Sequence, residues 1–163
     1  MTERLWSPWR MEYIKAAGAE DVQGCIFCDL PAQDDDEKNL ILARGDLAFV
    51  ILNRFPYNAG HLMVAPFRHV GEYEDLTDEE ILDAEHLLQR AIRALKEEMD
   101  PHGFNVGMNL GRVAGAGIPD HLHWHVVPRW GGDTNFMPVV GGTKVLPELL
   151  DETRDRLTPR LRG

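Results

Sequence analysis

The segment from Thr77 to Pro101 constrains the fold most. Thr77 is followed three residues later by Glu80, the pattern of a capping box, in which hydroxyl and carboxylate each satisfy a backbone N–H at a helix start. Ile81, Ala84, Leu88, Ala91, Leu95 and Met99 then recur at helical spacing until Asp100-Pro101 ends the pattern. A helix with one apolar face needs a surface to lie on, and the flanking segments read as strands. Leu40 to Ala43 and Leu47 to Asn53 form a hairpin about Arg44-Gly45-Asp46, and His61 to Ala65 is a third strand ending at Pro66. Downstream, Phe104, Val106 and Met108 alternate with small or polar residues, and His121 to Val127 is a fifth strand. Short loops and one long helix predict an α+β domain, a five-stranded antiparallel sheet covered by that helix. A weaker pattern from Pro147 through Leu157 predicts a C-terminal helix.

The chain has 163 residues, the size of one domain. Its 17 basic and 27 acidic side chains leave a formal charge of -10, which argues against a general binder of nucleic acid or anionic membranes. No run approaches the roughly 18 apolar residues of a membrane span, and the N-terminus lacks the order of a signal peptide, so a cytoplasmic location is expected. Asp34 to Glu37 reads as a solvated loop. Residues 1–24 form an N-terminal arm whose Leu5 to Ile14 stretch carries two tryptophans, too short to bury them alone and expected to pack on the body or a second subunit. Residues 25–163 form the domain and its C-terminal extension.

Chemistry concentrates in His121-Leu-His-Trp-His125. A strand sends alternate side chains to opposite faces, so the three imidazoles form one row while Leu122, Trp124 and Val126 point the other way. Two chemistries suit such a row. One is a metal site built from histidines two residues apart. The other is covalent catalysis, in which a neutral imidazole attacks phosphorus and its neighbours orient it and supply protons or positive charge. The preceding loop, with Gly111, Gly115 and Gly117, lets backbone amides approach an anion, which favours phosphate chemistry. His86 lies between polar neighbours in the long helix and receives no role.

The segment His121 to Val127 resembles the signature of the histidine-triad superfamily of nucleotide hydrolases and transferases. Cys25-Ile-Phe-Cys28, Leu52-Asn53, Pro56, Gly60-His61, Pro66 and the Asn109 loop fall in the family's order over residues 22 to 130. The Trp-Ser-Pro-Trp-Arg arm and the stretch Pro128 to Phe136 look like the bacterial branch related to diadenosine tetraphosphate phosphorylases and fragile-histidine-triad hydrolases.

That resemblance implies the rest of the assignment. His123 is the nucleophile, attacking the α-phosphorus of a nucleotide or dinucleoside polyphosphate. His121 holds its orientation, and His125 contacts the phosphate oxygens. Asn53 falls at the ribose-binding position, and Asn109 with Gly115, Ala116 and Gly117 at the phosphate-binding loop. Where many members carry a Gln or Ser in that loop, this chain has Gly117-Ile-Pro119, so backbone amides replace side-chain donors. Cys25, Cys28, His69 and His121 match a structural zinc site of some bacterial members, a closed set of two thiolates and two imidazoles. Mg²⁺ is expected with the nucleotide, and a homodimer is the family's usual assembly. Cleavage of phosphoramidates or aminoacyl-adenylates, a nucleotide-binding module with little turnover, and a metallohydrolase using the histidine row are the competing readings.

Overall fold

The computed structural model describes residues 24–133 and 148–162. The predicted arm therefore lies outside the described residues, apart from Gly24. A five-stranded antiparallel sheet, in the order β1-β2-β3-β5-β4, is built from β1 (Ile41–Arg44), β2 (Ala48–Leu52), β3 (Leu62–Pro66), β4 (Gly103–Met108) and β5 (Trp124–Arg129). Three helices accompany it: α1 (Ile26–Ala32), α2 (Asp78–Met99) and α3 (Leu150–Arg162). The α+β architecture and the helix-covered sheet are those expected.

Helix α2 starts where its capping box requires. Glu80 N–H donates to the Thr77 hydroxyl at 3.2 Å, and the Glu80 carboxylate accepts from Thr77 N–H at 2.9 Å. Ala84, Leu87, Leu88, Ala91, Ala94 and Leu95 are buried against the sheet, and Ile81 and Met99 flank them. His86 is exposed. Asp83 fixes the helix to the first hairpin, its Oδ2 accepting from Leu47 and Ala48 N–H at 2.8 and 2.9 Å. Strands β2 and β3 are buried on both faces, with Phe49, Val50, Leu62 and Val64 wholly covered.

Three elements differ from expectation by more than one residue. The fifth strand starts at Trp124 rather than His121. Pro66 has no N–H to offer the ladder, its carbonyl is taken by the His121 ring, and Leu122 N–H turns instead to Val70 O at 2.8 Å. The C-terminal helix starts at Leu150 and continues past Leu157 to Arg162, because Leu157 and Leu161 are fully buried and Arg160 binds Glu98 on α2 at 2.7 Å. Helix α1, unassigned from sequence, buries Phe27 at 1% exposure and carries Cys28.

Candidate active site and metal centre

The histidine row lies where β5 leaves the loop before it, and ring tautomers follow from hydrogen bonds to groups that can only donate or only accept. His123 Nδ1 lies 2.9 Å from His121 O; a carbonyl only accepts, so Nδ1 carries the proton and Nε2 the lone pair. The ring is 6% exposed, and burial holds its pKa below the ordinary histidine value, favouring the neutral form. Phe27 packs on it with ring centroids 4.8 Å apart, and His125 meets it edge-on at the same separation.

His125 is oriented by a residue with no assignment from sequence. His61, at the entry to β3 and fully buried, places Nε2 3.0 Å from His125 Nδ1. Its own Nδ1 accepts from Tyr57 N–H at 3.0 Å, with Asn53 Nδ2 at 3.3 Å, so the His61 proton sits on Nε2 and is donated to His125. His125 in turn carries its proton on Nε2. A lone histidine at a strand start is usually a core residue; its place beside Asn53, at the far end of a turn-rich loop, is the signal that marks it out.

Asn53 follows β2 directly, half-buried beside His61, and its Oδ1 accepts from Phe55 N–H at 2.9 Å, closing an Asx-type turn. The loop after β4 forms a single 3₁₀ turn at Arg112–Ala114, with Gly111 and Gly115 at positive φ of 77° and 97°. Gly115 N–H and Ala116 N–H donate to Arg112 O and Gly111 O, so these two amides serve the turn itself. Asn109 and His125 line a cleft of about 520 Å³ over the exposed face of β4 and β5, together with Tyr57, Asn105, Arg129 and Asp133.

Behind His123 lies a second constellation. The ligand atoms of Cys25, Cys28, His69 and His121 all fall within 4.8 Å of one another. Cys25 Sγ is 3.2 Å from His121 Nδ1, and Cys28 Sγ is 3.4 Å from His69 Nδ1 and 3.5 Å from His121 Nδ1. Tetrahedral zinc, with bonds of about 2.3 Å to sulfur and 2.0 Å to nitrogen, sets such atoms about 3.5 Å apart. The donor set therefore fits. His121 Nε2 donates to Pro66 O at 2.9 Å, which leaves Nδ1 as the lone-pair nitrogen facing the sulfurs, the arrangement a metal-bound imidazole takes. Burial, with Cys25 alongside, pushes the Cys28 thiol up to about 11, a penalty that a bound cation reverses. Sequence expectation and geometry bring the same four residues together.

Comparison with known proteins identifies the family. The HIT domain family matches residues 35–132. An AP-4-A phosphorylase of Mycobacterium tuberculosis is 50% identical over 160 residues, spanning 93% of this chain and 80% of the relative. An adenosine 5'-monophosphoramidase of Schizosaccharomyces pombe is 31% identical over 105 residues, 64% of this chain and 74% of that protein. Among solved structures, a Zn-bound histidine triad family protein from Mycobacterium smegmatis shares the fold with a TM-score of 0.66 at 24% identity, covering 86% of this chain and 94% of that one. On the domain match and the half-identical relative, the chain belongs to the HIT domain family of nucleotidyl hydrolases and transferases.

Proposed function

We propose that the protein cleaves dinucleoside polyphosphates such as diadenosine tetraphosphate, transferring a nucleotidyl group through His123 to orthophosphate. The observation that supports this reading is the tautomer of His123: a buried neutral ring with Nδ1–H tied to His121 O and the Nε2 lone pair left to attack. In the first step Nε2 bonds to the α-phosphorus, and the bond to the bridging oxygen breaks, its electron pair leaving on the nucleoside polyphosphate. In the second, an oxygen of orthophosphate attacks the same phosphorus and the P–N bond breaks, restoring the imidazole. His125, with its proton on Nε2, donates to phosphoryl oxygen as charge develops. Asn53 holds the ribose, Asn109 and the Gly117 end of the glycine loop hold the phosphate, the Gly115 and Ala116 amides being taken by the turn, and Mg²⁺ accompanies the polyphosphate.

Cys25, Cys28, His69 and His121 hold a zinc ion that ties α1 and the turn after β3 to the lead of β5. With four protein ligands it keeps no open position for chemistry, and its contribution is structural. This divides the triad, with His121 a ligand and positioning residue rather than a group touching substrate. Pairing into a homodimer is supported by β4, which among the described residues pairs with β5 alone and leaves its other edge open.

Product analysis tests the reaction. Incubation with diadenosine tetraphosphate, Mg²⁺ and orthophosphate is expected to yield ADP and ATP; AMP and ATP would make water the acceptor, and an unaltered substrate would overturn the assignment. A His123→Ala protein is expected to lose turnover, and full retention would sink the covalent route. The S. pombe relative's name makes adenosine 5'-phosphoramidate the second substrate to try.

A further inference from the structure

We infer that Arg129, on β5 beyond His125 and Val127, forms a subsite for the polyphosphate chain that leaves, and thereby selects long substrates over short ones. The inference rests on the nucleotidyl-transfer reading above and adds to it a residue that sets substrate length.

Three observations carry it. The first is placement. His125, Val127 and Arg129 share one face of β5, and four residues of strand separate the His125 and Arg129 backbones by about 13 Å. Antiparallel pairing of Leu62 with Val126 sets His61 level with Val127 and Asn53 beside His61, so both stand to one side of β5, while Arg129 stands on β5 itself two residues past Val127. A ligand with its nucleoside at Asn53 and its scissile phosphate at the histidines leaves the line of β5 over Val127 to its remaining phosphates, and Arg129 stands on that line. The leaving amine of a phosphoramidate is too short to reach it.

The second is preorganisation. Asp133 grips the guanidinium from behind, with Nε to Oδ2 at 2.5 Å and Nη2 to Oδ1 at 3.0 Å, while Nη1 donates to Asn105 Oδ1 at 2.8 Å. Asp133 Oδ2 also accepts from Asn58 Nδ2 at 2.9 Å and Trp130 N–H at 3.3 Å. The carboxylate is thus covered, its side chain 9% exposed, while the Arg129 side chain is 46% exposed. A guanidinium has five N–H groups. Three are used here, which leaves one N–H on each terminal nitrogen for phosphate oxygens.

The third is charge. The protein is acidic, at -10 overall, and Arg129 is the only lysine or arginine among the described residues lining the cleft. A polyphosphate entering such a molecule needs a local cation, and this is where the cleft supplies one.

The test compares two substrates that share a nucleotidyl group and differ in the tail. The ratio of kcat/KM for diadenosine tetraphosphate to kcat/KM for adenosine 5'-phosphoramidate is expected to fall about tenfold or more in Arg129→Gln, chiefly through KM for the tetraphosphate, with Arg129→Lys intermediate. Inorganic tripolyphosphate, titrated by calorimetry into wild type and Arg129→Gln, is expected to bind the variant about tenfold more weakly. An unchanged ratio, or tripolyphosphate affinity equal in the two proteins, would overturn the subsite. Should wild type cleave neither nucleotide yet bind tripolyphosphate through Arg129, the subsite stands and the nucleotidyl-transfer reading falls. Thermal melting of Arg129→Lys beside Arg129→Gln separates loss of the fork from loss of the Asp133 turn.

Discussion

His61 donates its Nε2 proton to His125 Nδ1 across 3.0 Å, and this contact decides which nitrogen of His125 faces the cleft with a proton. Replacing His61 by Asn removes the donor while keeping a polar side chain. His125 then samples both tautomers, and kcat is expected to fall roughly 10- to 100-fold, the range for losing a residue that orients a functional imidazole. Nitrogen-15 spectra read the tautomer directly: Nδ1 of His125 is expected unprotonated in wild type and mixed in the variant. A His61→Asn protein with the wild-type tautomer and rate would refute the relay.

Zinc occupancy is testable apart from turnover. Purified protein is expected to hold zinc at one ion per chain by elemental mass spectrometry, and Cys25→Ser and Cys28→Ser each to lose it. Loss is expected to cost about 2 kcal/mol or more in denaturant unfolding. A chelator should bring wild type down to the variants and leave the variants unmoved. Equal stability of wild type with and without chelator would exclude a structural ion.

Phe27 is the floor under both histidine functions, with ring centroids 5.3 Å from His121 and 4.8 Å from His123. At 1% exposure, its truncation to Ala is expected to cost about 3–5 kcal/mol. Phe27→Leu should cost much less, about 1.5 kcal/mol or under, yet still lower kcat because the His123 ring loses a flat wall. Urea midpoints and kcat measured on both variants separate the two effects.

Glu80 gives the fold an acid-sensitive contact. Arg68 holds its carboxylate in two hydrogen bonds of 2.7 Å, and with Thr77 N–H this keeps the Glu80 pKa below its ordinary 4.5 despite burial. A carboxyl whose folded pKa is depressed contributes stability above its unfolded value and loses it as pH falls through the folded value. Glu80→Gln is therefore expected to cost about 1–2 kcal/mol at pH 7, toward the low end because Arg68 is half exposed. The gap from wild type should close as pH drops below about 4.5. A gap constant from pH 7 to pH 3 would contradict the ionic account.

Much of this was legible because a few residues carry strong local rules. Thr77 and Glu80 specify a helix start with no help from the rest of the chain, and α2 begins there. The alternation of His121, His123 and His125 places three rings on one face whether or not the strand ladder reaches them. The ladder's late start at Trp124 depends on Pro66 O and Val70 O being where they are, a tertiary fact. Helix α1 is too short for periodicity and contains Pro31, so it reads as a loop until Phe27 finds its pocket. His61 and Arg129 share that difficulty: what distinguishes them is a partner distant in sequence, His125 for one and Asn105 for the other.

The four-residue cluster also has a consequence for the order in which the chain assembles. Cys25 and Cys28 are neighbours from synthesis, but His121 lies 96 positions from Cys25, and His69 lies 41 from Cys28. Contacts so distant along the chain carry the entropy of closing long loops and complete late in folding. A nascent chain offers an ion two thiolates only; all four ligands converge once β3 and β5 are paired. Full coordination of the proposed ion would thus act as a latch on finished topology, and one of its four ligands, His121, is the residue whose carbonyl sets the proton of His123.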